Sequence, residues 1–195
     1  VMNDPVGIID SLGLFIELWY GNHSVSGSPW WHSKLWLVTD EWALAGEGTF
    51  PFLSAISRTE IASHGFFGPF CLWAIAIGAG ADDVWRSGDD LIASFNRPTD
   101  TEKTLSNPSL VANFATPATG LGFLRHVSLL NSVLNGNFAN TTLEYELFPG
   151  NGSDAYTVWN KWDEFNSNSY IRGLLDLFGF GTAPAPGANV PGWDK

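Results

Sequence analysis

Apolar stretches with helical spacing alternate along this chain with long polar connections. Residues 5–20, PVGIIDSLGLFIELWY, place apolar side chains at three- and four-residue intervals, with Asp4 as a cap and Pro5 in the first turn. That pattern predicts an amphipathic helix. After a turn-rich connection over 21–31, residues 33–45, SKLWLVTDEWALA, predict a second short one, which Gly46-Glu47-Gly48 ends. Residues 118–134, ATGLGFLRHVSLLNSVL, are apolar around Arg125 and His126 and predict a third. Residues 157–180 begin polar and end in a short apolar helix. The intervening 96–117 and 135–156 are rich in Asn, Thr, Ser, Pro and Gly and read as long loops. The tail 181–195, GTAPAPGANVPGWDK, reads as an extended segment.

The longest apolar run decides the expected fold class. Residues 65–81 carry no charge, and extending the run back to Ile61 adds His64 as its only ionisable group. A membrane-spanning helix needs about 20 such residues. Arg58 and Glu60 flank the run on one side and Asp82-Asp83 on the other. Gly68-Pro69 argues for a buried core helix instead, because proline removes a helical hydrogen bond. Proline and glycine are nevertheless commoner in membrane helices than in soluble ones. The expectation is a mainly α membrane protein. One transmembrane helix over about 58–81 follows an extramembrane segment 1–57 with short helices. Residues 82–180 then carry amphipathic surface helices near 118–134 and 157–180 among long irregular loops.

Composition narrows the partners. Only 15% of the 195 residues are charged, and 9 Lys+Arg against 20 Asp+Glu give a net charge of −11. Phosphate recognition draws on clustered Lys and Arg, so nucleic acid is excluded as a partner. The single cysteine, Cys71, excludes an internal disulfide framework and a Cys-based metal cage. Ten Trp and fourteen Phe demand burial against a core, lipid, cofactors or neighbouring proteins.

Catalytic motifs are missing. There is no Gly-x-Ser-x-Gly elbow, and the Gly-x-Gly triplets at 46–48, 78–80 and 179–181 extend to no nucleotide-binding fingerprint. The adjacent acidic pairs Asp40-Glu41, Asp82-Asp83, Asp89-Asp90 and Asp163-Glu164 read as solvated edges. Glu60 and His64 stand at i, i+4 and would share one helix face. The Trp content suits a membrane interface. It also suits a secreted carbohydrate-binding module, an alternative favoured by the glycosylation acceptor patterns at Asn22, Asn140 and Asn151.

The segment from Arg58 through Glu60, His64, Gly65, Phe66, Phe67, Gly68 and Pro69 to Phe70 resembles chlorophyll-carrying helices of thylakoid proteins. Arg58, Glu60, His64 and Gly65 follow the order of the helix pattern of light-harvesting antenna proteins. One extra residue stands before His64, and Phe66 replaces the expected Arg. His64-Gly65-Phe66-Phe67 and Gly68-Pro69-Phe70 are similar to the first membrane helix of photosystem I subunit L, without the two residues between the halves. The resemblance covers about 25 residues. It implies a non-catalytic chlorophyll-binding linker subunit of a photosystem–antenna supercomplex in the plastid thylakoid membrane. Chlorophyll, with carotenoid, would be the cofactor. Photosystem core subunits, light-harvesting antenna proteins and membrane lipid would be the partners. His64, His126 and Glu60 are the expected pigment ligands, because magnesium takes a neutral imidazole or a carboxylate as axial ligand.

Overall fold

The computed structural model describes residues 16–25, 27–39, 73–81, 89–101, 105–136, 144–145 and 164–180, together with Val190 and Trp193. Five long strands form one antiparallel sheet: β1 (Ile16–Ser24), β2 (Trp31–Thr39), β3 (Trp73–Ala81), β4 (Asp89–Phe95) and β5 (Ser106–Phe114). Their order is β5-β1-β2-β3-β4, and the two-residue strands β6 (Glu144–Tyr145) and β7 (Glu164–Phe165) extend it past β4. β7 runs parallel to β6. Among the described residues three helices accompany the sheet: α1 (Pro98–Thr101), α2 (Pro117–Leu134) and α3 (Ser167–Leu177).

Period-two alternation gives the strands two different faces. Ile16, Leu18 and Tyr20, Leu35 and Leu37, Ile75, Ile77 and Ala79, and Leu91 and Ala93 all point to one side. There they meet Leu121, Phe123, Leu124 and Val127 of α2, and Tyr170, Ile171, Leu174 and Leu175 of α3. This is the main core. The intervening positions form the second face, where Trp36, Val38 and Ala76 pack with Leu105.

Local chemistry explains both long helices. Thr116 caps α2 and Asn166 caps α3, each closing a capping box with the residue three positions on, Thr119 and Ser169. Pro117 occupies the first helical turn, where its missing N–H costs nothing. Gly136, at φ 75, ends α2. The Tyr170 hydroxyl meets Asn131, and Phe178 meets Phe123, so α2 and α3 run antiparallel across the sheet.

Two asparagines close strand edges where no strand continues. The Asn135 amide accepts from Ala93 N–H and donates to its C=O, both at 2.9 Å. The Asn168 amide accepts from Ser33 N–H at 2.7 Å and donates to the Trp31 carbonyl at 3.1 Å. A side-chain amide carries the same donor and acceptor as a peptide group.

The expected mainly α membrane fold is wrong, and with it the transmembrane-helix description of a thylakoid light-harvesting protein. Trp73–Ala81, the second half of the run 58–81, is β3, a central strand. Among the described residues no helix is long and apolar enough to cross a membrane. β3 is covered on both faces, so all its positions are apolar or small, and such a strand reads as an uninterrupted apolar run. The first half, with Glu60 and His64, lies outside the described residues. The helices expected near 5–20 and 33–45 are replaced, where described, by β1 and β2. The loop read over 96–117 contains α1 and β5, including Pro108. The helix expected at 118–134 is α2, and α3 lies within 157–180.

Candidate functional site

Among the described residues the densest group of ionisable side chains lies buried on the second face of the sheet. It begins with a turn. Asn96 follows β4 with φ at 52, a conformation asparagine tolerates better than most residues. Its backbone N–H bonds to the Ala76 carbonyl and its side-chain oxygen accepts from the Ala76 N–H. The chain leaves β4 there and crosses the second face as α1. Glycine makes the crossing possible. A Cβ on Gly80 would collide with the Arg97 guanidinium, one on Gly78 with the Asp100 carboxylate, and one on Gly21 with Leu105. Three side chains from one connection therefore rest on three bare positions of β1 and β3.

Alternate residues of β2 then hold Asp100. His32 Nε2 lies 2.7 Å from Asp100 Oδ1. Lys34 Nζ donates to the Asp100 backbone carbonyl at 2.7 Å, and Trp36 Nε1 donates to the same oxygen at 3.3 Å. The Lys34 ammonium also sits 5.0 Å from the centre of the Trp36 ring. His23, paired with His32 across β1 and β2, packs its ring 4.8 Å from the His32 ring. One strand face presents an imidazole, an ammonium and an indole at period two, and all three close on one residue.

Burial is the strongest single influence on the Asp100 carboxyl and acts against its charge. His32, by charge and hydrogen bond, then Arg97 and Lys34 outweigh that influence and hold the carboxyl below its ordinary value. The group is therefore a carboxylate, and the His32 nitrogen facing it carries the proton. A carboxylate that orients an imidazole is a component of acid–base catalysis. Here, however, His32 is 1% exposed and Asp100 0%, so no reactant reaches the pair. The arrangement acts as a clasp between the crossing connection and the sheet. Among the described residues no group of three or more His, Cys, Asp and Glu side chains is placed to hold a metal ion.

A second polar junction lies on the core face, where β1 and β2 meet the start of α3. The Tyr20 hydroxyl is 3.2 Å from Ser33 Oγ. Burial raises the Tyr20 phenol, while its bonds to Ser33 and Asn22 pull the other way. Tyr170 is raised further, chiefly by burial and also by the negative charge of Asp100, against the lowering effect of its 2.6 Å bond to Asn131. The α3 N-terminus at this junction is closed, because Asn166 Oδ1 accepts from the Asn168 and Ser169 N–H groups.

No protein family, curated protein or solved structure matches this chain.

Of the ligands expected from sequence, His126 alone falls among the described residues. Glu60 and His64 fall outside the described residues. His126 is an exposed residue of α2 whose Nδ1 lies 2.7 Å from the Gly122 carbonyl. A carbonyl only accepts, so Nδ1 donates, and in a neutral ring that leaves the lone pair on Nε2. The donor suits a magnesium macrocycle, but beyond the Phe178 ring, 6.3 Å away, the described residues give no enclosure for one. Trp19, Trp30 and Trp31 are half-buried, and Trp36 and Trp193 buried. None of these five forms the open platform a sugar-binding module uses.

What the outer surface of α2 does show is a stripe. Thr119, Gly122, His126, Leu129 and Val133 follow one another at three- and four-residue steps, so they share a face. Leu129 is 57% exposed and Val133 40%, and Leu177 on α3 is 65% exposed. His32, Lys34 and Asp100 were missed by sequence reasoning, because His32-Ser33-Lys34-Leu35-Trp36-Leu37 shows no polar–apolar alternation, this strand being buried on both faces.

Proposed function

We propose that this chain is a non-catalytic assembly protein that acts by contact, through the outer face of its helix layer. The observation that carries the reading is the uncharged stripe Thr119–Gly122–His126–Leu129–Val133. The opposite side of α2 is already buried against the sheet, and the outer side adds Leu129 and Val133, two exposed apolar side chains one turn apart. Exposed apolar residues scattered singly need no partner, whereas residues grouped along one ridge mark a contact surface. The buried cluster supports the same reading. Its imidazole is sealed, and its donors grip Asp100 instead of facing a reactant.

A photo-crosslinker tests this in a native extract of the source. Full-length chains with benzoylphenylalanine in place of Arg125, beside the stripe, or of Asn113, exposed on β5, are irradiated in parallel. The expected result is one discrete adduct from position 125 and none from position 113. Equal labelling from both positions, or no adduct from 125, overturns the reading. An absorption spectrum separates it from the pigment-binding alternative. Bands in the chlorophyll Soret and Qy regions that disappear in His126→Leu would replace contact with pigment capture.

A further inference from the structure

We infer that the partner seated on this stripe is a second copy of the chain, docked antiparallel with His126 on the two-fold axis. The inference rests on the contact reading above and names its partner. A two-fold contact must be self-complementary: if one residue meets a second, the second must meet the first. The stripe meets that condition when two copies of α2 run in opposite directions. His126 lies midway between Thr119 and Val133, so His126 faces its counterpart and Thr119 faces Val133. Gly122 then faces Leu129. The space above Gly122 is open, with nothing outside its own helix backbone and chain neighbours within 4 Å of where a Cβ would stand, and Leu129 is the more exposed of the two large apolar side chains of the stripe. The largest projection of one copy meets the deepest gap of the other, twice. A parallel pair would set Leu129 against Leu129 and leave two glycine gaps unfilled.

Charge favours the same arrangement. α2 has no acidic residue in its first turn and no basic residue in its last, so beyond the neutral Thr116 cap no charged side chain of its own offsets either end of its dipole. An antiparallel copy sets each positive N-terminus against a negative C-terminus. The chain carries 20 acids and a net −11, which opposes self-association over most of its surface, but residues 117–134 contain no acid. Arg125, the one charge of α2, is exposed and flanks the stripe without belonging to it. Phe178 packs beside His126, which places its neighbour Leu177 near the proposed axis.

Engineered cysteines in a full-length Cys71→Ser background test the geometry. A disulfide needs Cα atoms within roughly 7 Å. His126→Cys alone is expected to give a disulfide-linked dimer on mild oxidation. Thr119→Cys and Val133→Cys are each expected to stay monomeric alone but to cross-link when mixed. Self-linking of Val133→Cys would overturn the antiparallel arrangement. Leu129→Glu provides a second readout, with wild type sedimenting as a dimer and this variant as a monomer at the same concentration. A monomeric wild type without His126→Cys cross-linking overturns the inference. If the position-125 photo-adduct is then heavier by a mass other than that of this chain, the assembly reading stands and self-association is excluded. If no adduct forms, both fall.

Discussion

The Asp100 carboxylate lies where any side chain on Gly78 would have to begin. Gly78 is therefore the floor of the clasp, and its missing side chain is a packing requirement. Gly78→Ala must displace a buried carboxylate held by His32, and overpacking of this kind costs about 1–3 kcal/mol. Gly173, mid-helix in α3 with open space around it, provides the contrast. Gly173→Ala is expected to gain about 0.5–1 kcal/mol. Urea unfolding midpoints measure both, and equal effects would contradict the packing of Asp100 on Gly78.

The same carboxylate makes stability depend on acid. Its folded-state value is lowered, so its contribution is present above the unfolded Asp value of about 3.9. That contribution fades as pH falls below this value and through the lower folded one. Asp100→Asn keeps the backbone carbonyl for Lys34 and Trp36 but removes the charge facing His32. Breaking a buried pair costs about 3–5 kcal/mol, and the variant is expected near the lower end at pH 7. Its unfolding free energy should also fall less steeply than that of wild type between about pH 4 and pH 2. Parallel slopes would contradict the assignment.

Tyr20 and Tyr170 set the alkaline behaviour. Both phenols are raised by burial, so the stability they contribute is complete below the unfolded Tyr value of about 10 and is lost as pH rises above it. In a spectrophotometric titration of the four tyrosines, at least two should ionise only as the protein unfolds. Tyr170→Phe should remove one late proton and lower stability by about 1 kcal/mol through loss of the Asn131 bond. Early, reversible ionisation of all four would exclude the buried placement.

Asn168 joins α3 to β2 by the pair of bonds a neighbouring strand would make. Asn168→Ala leaves the Ser33 N–H and the Trp31 carbonyl without that partner, at a cost of about 1–3 kcal/mol. Amide exchange gives the specific test, because Ser33 N–H should lose protection more than Leu35 or Leu37. A uniform change across β2 would show that the amide does not hold that edge.

α2 was legible because its information is local. Thr116, Pro117 and Thr119 start it, its core-facing apolar positions recur at helical spacing, and Gly136 stops it. β3 was misread because its information is not local. Ile75 and Ile77 face the helices while Ala76 and Gly78 face the crossing connection. A strand covered twice loses the alternation that distinguishes it from an apolar helix. His126 could be singled out by type, but its exposure was set by how α2 lies on the sheet.

By itself the sequence determined the acidic balance, the scarcity of Lys and Arg and the stretch of chain that forms α2. Only the tertiary structure decided that Trp73–Ala81 is a central strand and that His32, Lys34 and Trp36 converge on Asp100. It also decided that Gly78 and Gly80 are seats for side chains from a distant connection. The physical reason is range. Capping and helical periodicity act within a few residues and leave a trace in order and spacing. A buried carboxylate meets its imidazole and its glycine floor across long stretches of chain, and only the sheet brings those stretches together.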